Sequence, residues 1–317
     1  MSPGSSNSPS FLAGERLAAK KPLLLLRSRI IQALRDFFLG KGYLETETPI
    51  LIPAPAPELH IDVIQAGHLF LHPSPELCMK RLVAAGYERI FQICRCFREG
   101  ERGSRHLPEF TLLEWYRAGT DYCGLMDECE EVLLHLSTAL GFGETFRYQG
   151  KEIDLSRPWP RLKVRDALMQ YACASLEDVL AGGSFDETMV NRVEPCLGLP
   201  KPTFLCDYPL SLAALARTKQ IEPESAERFE LYIAGLELAN AFSELTDAVE
   251  QRRRFELERE GRQRQGKMIY PMPEKFLEAL AFMPESAGIA LGVDRLVMLF
   301  CDQKEIDRVV SFTPEEL

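Results

Sequence analysis

Arg89-Ile-Phe-Gln-Ile-Cys-Arg-Cys-Phe-Arg98 and Phe110-Thr-Leu-Leu-Glu-Trp-Tyr-Arg117 decide how this chain folds; a charged loop holding Gly100 and Gly103 separates them. Both runs are rich in strand formers and the loop carries turn formers, so the pattern predicts an antiparallel hairpin. Period-two alternation then sets Phe110, Leu112, Glu114 and Tyr116 on one face, with Arg98 at the end of the first strand. A ring, a carboxylate, a phenol and a flanking guanidinium make a poor core. They suit a nucleotide beside a cationic ligand, the guanidinium engaging phosphate and the ring stacking on a base. A solvated sheet face with one salt bridge is the plainer reading of the same residues.

Outward from the hairpin, Leu26, Ile30, Ile31, Leu34, Phe37 and Phe38 keep the helical period, and Gly40-Lys-Gly42 closes that helix. Tyr43-Leu-Glu-Thr-Glu-Thr reads as a strand stopped by Pro49, and Pro53 to Pro57 as an extended connection. Ser74 caps a helix with Pro75 in its first turn, and Leu125 to Leu140 is helical. Residues 141–225 mix short helical pieces with Pro-rich turns and read as an insertion. Phe229 to Leu238 is a strand, Asp247 starts an exposed charged helix, Ile289 to Val293 is a short strand, and Asp294 to Phe300 begins an apolar helix. The sum is α+β: a central antiparallel sheet flanked by helices, with no βαβ alternation, Walker-type loop or Rossmann fingerprint.

The run Gly235-Leu-Glu-Leu-Ala-Asn-Ala-Phe-Ser-Glu-Leu-Thr-Asp247 sets Glu237, Asn240 and Glu244 among apolar residues. Carboxylates are seldom buried without a partner or a cation. A seven-residue spacing also places both on one helix face, so a site and an amphipathic helix compete here. Beside the arginines, a strand with a turn near Asn240 fits better than a helix.

With 317 residues, 46% of them hydrophobic and 26% charged, the composition is that of a globular protein with ample core. A net charge of −10 argues against a broad surface for nucleic acid. The nine cysteines show no disulfide framework and no metal-ligand spacing; Cys94 and Cys96 read as reduced packing residues. No apolar run approaches a membrane span, and residues 1–20 read as a disordered, Ser- and Pro-rich tail without a signal core, which makes the cytoplasm the default compartment.

Arg98, His106, Phe110 and Glu114 resemble the second signature of class II aminoacyl-tRNA synthetases. Gly42-Tyr-Leu-Glu-Thr-Glu-Thr-Pro49 looks like the first signature, at a dimer interface, and Gly288-Ile-Ala-Leu-Gly-Val-Asp-Arg295 like the third. The run at Glu237 resembles one from the lysyl branch. Within that branch, the short stretch ahead of the first signature and Ala290 in place of a glycine point to a narrower group. These are truncated paralogues, without an anticodon-binding domain, that ligate (R)-β-lysine to elongation factor P. Ser74-Pro-Glu-x-x-Met-Lys-Arg-Leu and Pro108-Glu-Phe-Thr-x-x-Glu-Trp-Tyr-Arg117 look alike there too.

The resemblance implies one catalytic domain over residues 21–317, a homodimer, and amino-acid activation by ATP with Mg²⁺ followed by acyl transfer. It puts Arg98 on the α-phosphate, Arg295 on the γ-phosphate and Phe110 on the adenine. His106, Leu107, Leu238 and Gly292 would border the nucleotide, and Glu237 with Glu244 would hold Mg²⁺. Ser74, Glu76, Glu114, Tyr116, Asn240, Glu244 and Ala290 would form the amino-acid pocket. Glu76 would take the amino group near the carboxylate, and Glu244 with Tyr116 the distal ammonium. The departures are Gly100 for a glutamate, which Glu99 or Glu101 would replace, Leu107 for an asparagine, and Ala241 for a glycine, where an extra methyl either reshapes the amino-acid pocket or simply fills space. A compact lysyl-tRNA synthetase and a non-catalytic lysine- or ATP-binding paralogue remain as alternatives.

Overall fold

A computed structural model describes residues 9–213 and 215–317, the side chains of 9–13 excepted. An eight-stranded sheet organises it. Its strands in chain order are β1 (Leu44–Glu45), β2 (Arg89–Phe97), β3 (Glu109–Ala118), β4 (Arg161–Lys163), β5 (Thr203–Pro209), β6 (Ser225–Ile233), β7 (Leu236–Ser243) and β8 (Ser286–Gly292). Across the sheet they run β1-β2-β3-β8-β7-β6-β5-β4. The six central strands are antiparallel, and each edge strand, β1 and β4, pairs parallel with its neighbour. The main helices are α1 (Pro9–Gly40), α2 (Glu76–Ala84), α3 (Tyr122–Leu140), α4 (Ala248–Arg264), α5 (Glu274–Leu280) and α6 (Val293–Phe300).

One sheet face carries the main core. Ile30, Leu34, Phe37 and Phe38 of α1, Leu125, Leu133 and Leu136 of α3, and Leu296 to Phe300 of α6 pack there on Phe91, Leu113, Trp115, Ala239, Ala241, Ile289 and Leu291. The Phe38 ring lies 5.0 Å from both Phe91 and Trp115, an aromatic cluster that fixes α1 on the sheet. On the opposite face, α2, α4 and α5 cover the β2–β3 end through Met79, Val83, Phe255 and Phe276 packed on Ile90 and Tyr116. The pieces between Val164 and Leu197 cover the β5–β6 end. A cleft is left between those two covers.

Three expectations change. The helix expected from Leu26 begins at Pro9, so residues 9–20 are helical rather than a tail; Lys20 is buried and pairs with Glu316 at 2.9 Å. Residues 1–8 lie outside the described residues. Segment 141–225 supplies β4 and β5 to the central sheet, so it is built into the fold and not simply inserted. The turn expected near Asn240 falls at Ala234-Gly235, where φ values of 53° and 73° make the two-residue turn that matches strand twist. Asn240 sits within β7.

The local capping signals hold. Ser74 Oγ accepts the Glu76 amide at 2.9 Å as α2 begins, and Asp247 Oδ1 accepts the Val249 amide at 2.8 Å at the start of α4.

Candidate active site

The cleft floor is built of cross-strand rows. Gln92, Glu114, Ala290, Asn240 and Glu230 face one another across β2, β3, β8, β7 and β6; the next row is Ile90, Tyr116, Gly288, Phe242 and Arg228. Gly288 has no alternative. A Cβ there would lie 2.2 Å from the Tyr116 ring and 2.5 Å from Glu244 Oε1. The cleft encloses about 710 Å³ and is lined by Arg98, His106, Leu107, Phe110, Glu237, Leu238, Asn240, Ala290, Gly292 and Arg295 among others.

At the open end stand the two arginines expected for phosphate. The Arg98 guanidinium lies 5.0 Å from the Phe110 ring centroid and 3.6 Å from Glu101, while its buried Nε has no partner. Of the two glutamates flanking Gly100, Glu101 is the one that pairs with Arg98; Gly100 itself has φ 76°, which a longer side chain resists. Arg295, in the first turn of α6, donates to the Glu237 carbonyl at 2.8 Å and to its carboxylate at 3.2 Å. Its other arm is 2.6 Å from His106 Nε2. Burial and the Arg295 charge hold the His106 imidazole below its ordinary range, so the neutral ring accepts this bond. Asp294 anchors the turn from below, accepting the Thr111 amide at 2.7 Å and Arg27 at 2.5 Å. Leu107 is buried in the core and borders the cleft.

The other end is closed. Ser74 Oγ donates to Glu114 at 2.5 Å and Tyr116 OH donates to its second oxygen at 3.0 Å. Lys80 is buried between Glu76 at 2.5 Å and Glu244 at 2.6 Å, with its ammonium 4.8 Å from the Phe242 ring. Its contact with Glu244 is an ion pair out of hydrogen-bond alignment, so both Glu244 oxygens are buried without a well-formed hydrogen bond. Burial, only partly offset by Lys80, pushes the Glu244 carboxyl up to about 8. Burial and the neighbouring Glu76 likewise raise Glu114 well above the carboxylate range. Two carboxyls, Glu76 and Glu244, therefore share one internal ammonium, and a third, Glu114, has only hydroxyl partners beside them. A further cation would relieve that imbalance.

The structure does not bring Glu237 and Glu244 together. A bulge at Leu238 pairs Leu231 with Ala239 but Tyr232 with Glu237, and this returns Glu237 to the face of Asn240, Phe242 and Glu244. They remain about 20 Å apart along the strand at ~3.3 Å per residue, too far for one ion. The Mg²⁺ pair expected from sequence is corrected accordingly. Glu237 instead faces Glu230 and Glu194. Burial, then Glu237, raises both, Glu194 to about 7.

Glu230 is held at 2.6 Å from Arg228, and Arg228 also donates to Asn240 Oδ1 at 3.1 Å. Sequence reading missed Glu230, Arg228, Glu194 and Lys80. The first two were readable from alternation, since Arg228, Glu230 and Tyr232 interleave with buried Phe229, Leu231 and Ile233. Lys80 was readable as the i+4 partner of Glu76. Of the two readings of Ala241, filling space is the one the structure agrees with: it packs in the core opposite Ile289 and does not line the cleft. Ala290 does face the cleft, its methyl set between Glu114 and Asn240.

Comparison with known proteins gives the family. The family described as tRNA synthetases class II (D, K and N) matches residues 10–316. The lysine–tRNA ligase of Carboxydothermus hydrogenoformans is 37% identical, with 91% of this chain and 64% of that protein covered. The elongation factor P–(R)-β-lysine ligases of Salmonella gallinarum and an Enterobacter species are each 39% identical, with 93% of this chain and 96% of each of them covered. The chain thus spans just under two thirds of the lysine–tRNA ligases it matches and nearly all of the β-lysine ligases.

Proposed function

The chain belongs to the class II tRNA synthetases of the D, K and N group, and from that premise we propose that it activates a lysine, (R)-β-lysine first, with ATP and transfers it to a lysine side chain of elongation factor P. The observation that carries the reading is the division of the site: two arginines line the open cleft, and behind the Asn240–Ala290 floor Lys80 lies buried between Glu76 and Glu244, next to Glu114. ATP fits the first and a diamine amino acid fits the second.

In this reading the substrate carboxylate attacks the α-phosphorus and pyrophosphate leaves. Arg98 neutralises the charge at the α-phosphate, with Phe110 against the adenine. Arg295 exchanges His106 and Glu237 for the γ-phosphate. Such chemistry runs on positioning and charge neutralisation. When bound, Mg²⁺ adds charge neutralisation on the phosphates; Glu237 and Glu230 are the side chains to hold it, with waters completing its shell. Glu244 and Tyr116 take the distal ammonium and Glu76 the other. Asn240, fixed by Arg228, lies toward the substrate carboxylate. Ala290 supports the β-isomer through its resemblance to the elongation factor P ligases.

The near-complete coverage of the β-lysine ligases favours a protein acceptor over tRNA. The net charge of −10 points the same way. A homodimer through the first-signature face is part of the proposal. Leu25, Leu39, Leu44, Ile50 and Leu51 are exposed on it. Among the described residues no helix is long and apolar enough to cross a membrane, and a cytoplasmic setting is proposed with the acceptor.

Intact-mass measurement of elongation factor P after incubation with the protein, ATP and each lysine isomer tests the reading. A gain of one acyl residue is expected, larger with (R)-β-lysine. An unchanged mass with both isomers, or acid-precipitable lysine on bulk tRNA in a parallel reaction, overturns it.

A further inference from the structure

Three ligand-capable side chains converge outside the residues given roles above. Cys94 and Cys96 occupy alternate positions of β2, so both leave the sheet on the cleft face, between Gln92 and Arg98. Cys96 is paired across the ladder with Phe110 and Cys94 with Leu112. The third is His72, 22 residues before Cys94 in sequence and buried beside them. No local spacing announces it.

The geometry is that of a ligand set. The two sulfurs are 3.8 Å apart and Cys96 Sγ is 4.0 Å from His72 Nε2. All three donor atoms lie within 4.8 Å of one another. A tetrahedral zinc ion with Zn–S bonds of ~2.3 Å requires a sulfur–sulfur edge of about 3.8 Å, so the sulfurs already stand at the required separation. Plain packing of two small residues does not account for the next side chain in the row. Gln92 is almost fully buried, touches Cys94, and leaves its Oε1 without a hydrogen-bond partner.

We propose that His72, Cys94 and Cys96 form a binding site for a thiophilic divalent cation of the zinc class, with Gln92 offering an uncommitted oxygen to its fourth position. Binding is not redox. Two thiol protons leave as two metal–sulfur bonds form. His72 Nε2 gives up its 2.7 Å hydrogen bond to the Arg95 carbonyl, and its proton moves to Nδ1. The site lies under Arg98 and opposite Phe110, but it does not depend on the activity proposed above.

The test uses the full chain carrying Cys173→Ser and Cys196→Ser, which removes the cysteines exposed among the described residues. The reduced protein is titrated anaerobically with Cd²⁺ alone, reading thiolate-to-metal charge-transfer absorption, and Zn²⁺ is then added. Saturation at one equivalent, reversal by Zn²⁺ and a Zn²⁺-dependent rise in melting temperature are expected. Cys94→Ser and His72→Gln, made on the same background, should each weaken binding by more than about 100-fold, beyond what loss of an outer-shell partner costs. Cys94 is half-buried, and the melting temperature of its variant without metal reports that it folds. A Cd²⁺ titration unchanged by both substitutions, or no charge-transfer band at one equivalent, overturns the site.

Discussion

The two ends of the cleft hold the same kinds of groups in opposite physical states. At the open end the Arg295 side chain keeps 19% of its surface exposed and the Glu237 side chain 38%. Their contacts are ones that an incoming polyanion can replace. At the closed end Lys80 and Glu244 keep 2% and none, and a charge left over there cannot be answered by water. The open end therefore gives a place for charge to exchange during a reaction. In the proposed reading the closed end gives selectivity, because a ligand without its ammonium leaves buried carboxyls unpaired. Cover decides this difference: α2 and α5 lie over Tyr116 and Ile90, whereas no described element closes over Arg98 and Arg295.

The comparison breaks most readily at the open end. Arg295→Ala should lower ATP–pyrophosphate exchange by roughly 10²–10³-fold, the range for loss of one preorganised charge-stabilising donor. Its melting temperature should stay within a degree or two of the parent, which calorimetry checks. A fall in stability that matched the fall in rate would put Arg295 in the fold and not in the site.

Glu244→Gln comes next. It should raise the KM for lysine or β-lysine by about 30-fold or more, as expected when a buried charge pair loses one member, and leave the KM for ATP unchanged. An equal rise in both would erase the distinction between the ends.

Metal dependence sharpens the same boundary. Glu230→Gln should raise the Mg²⁺ concentration for half-maximal exchange by about tenfold, while Glu244→Gln leaves it alone. The reverse pattern would restore the metal pair read from sequence.

The smallest effect is on stability against pH. The Glu244 carboxyl titrates near 8 in the folded protein, chiefly through burial, and in the ordinary carboxylate range once unfolded. The folded state thus binds this proton more tightly. Its stabilising contribution is complete below the ordinary carboxylate range and is lost as pH rises through about 8. The melting temperature of the ligand-free protein should therefore fall between pH 5 and 8.5, by roughly 5 °C, and fall less in Glu244→Gln. Identical pH profiles would show that Lys80 keeps Glu244 ionised throughout.

Much of the fold was readable without coordinates. The hairpin registers Phe110, Leu112, Glu114 and Tyr116 toward one face as alternation requires, and Ser74 and Asp247 cap the helices they precede. These are local matters, set within a few residues of chain. Other readings failed where local information ends. The tail reading stopped short because the salt bridge of Lys20 to Glu316 spans almost the whole chain. Residue order left Ala241 open between pocket and space-filling, and the pairing of β7 with β8 sets it opposite Ile289 in the core.

By itself the sequence determined which residue types share a strand face, where helices start, and that arginines and carboxylates belong to one site. Alternation, capping and turn chemistry act over short separations, so these follow from residue order. Only the tertiary structure decided which charges meet. Glu237 and Glu244 share a face through a one-residue bulge and still stand far apart, so Glu237 answers to Arg295 and Glu230, and Glu244 to Lys80. Partner choice among buried charges depends on register between distant strands and on which helices exclude water, and both are fixed only when the whole sheet has formed.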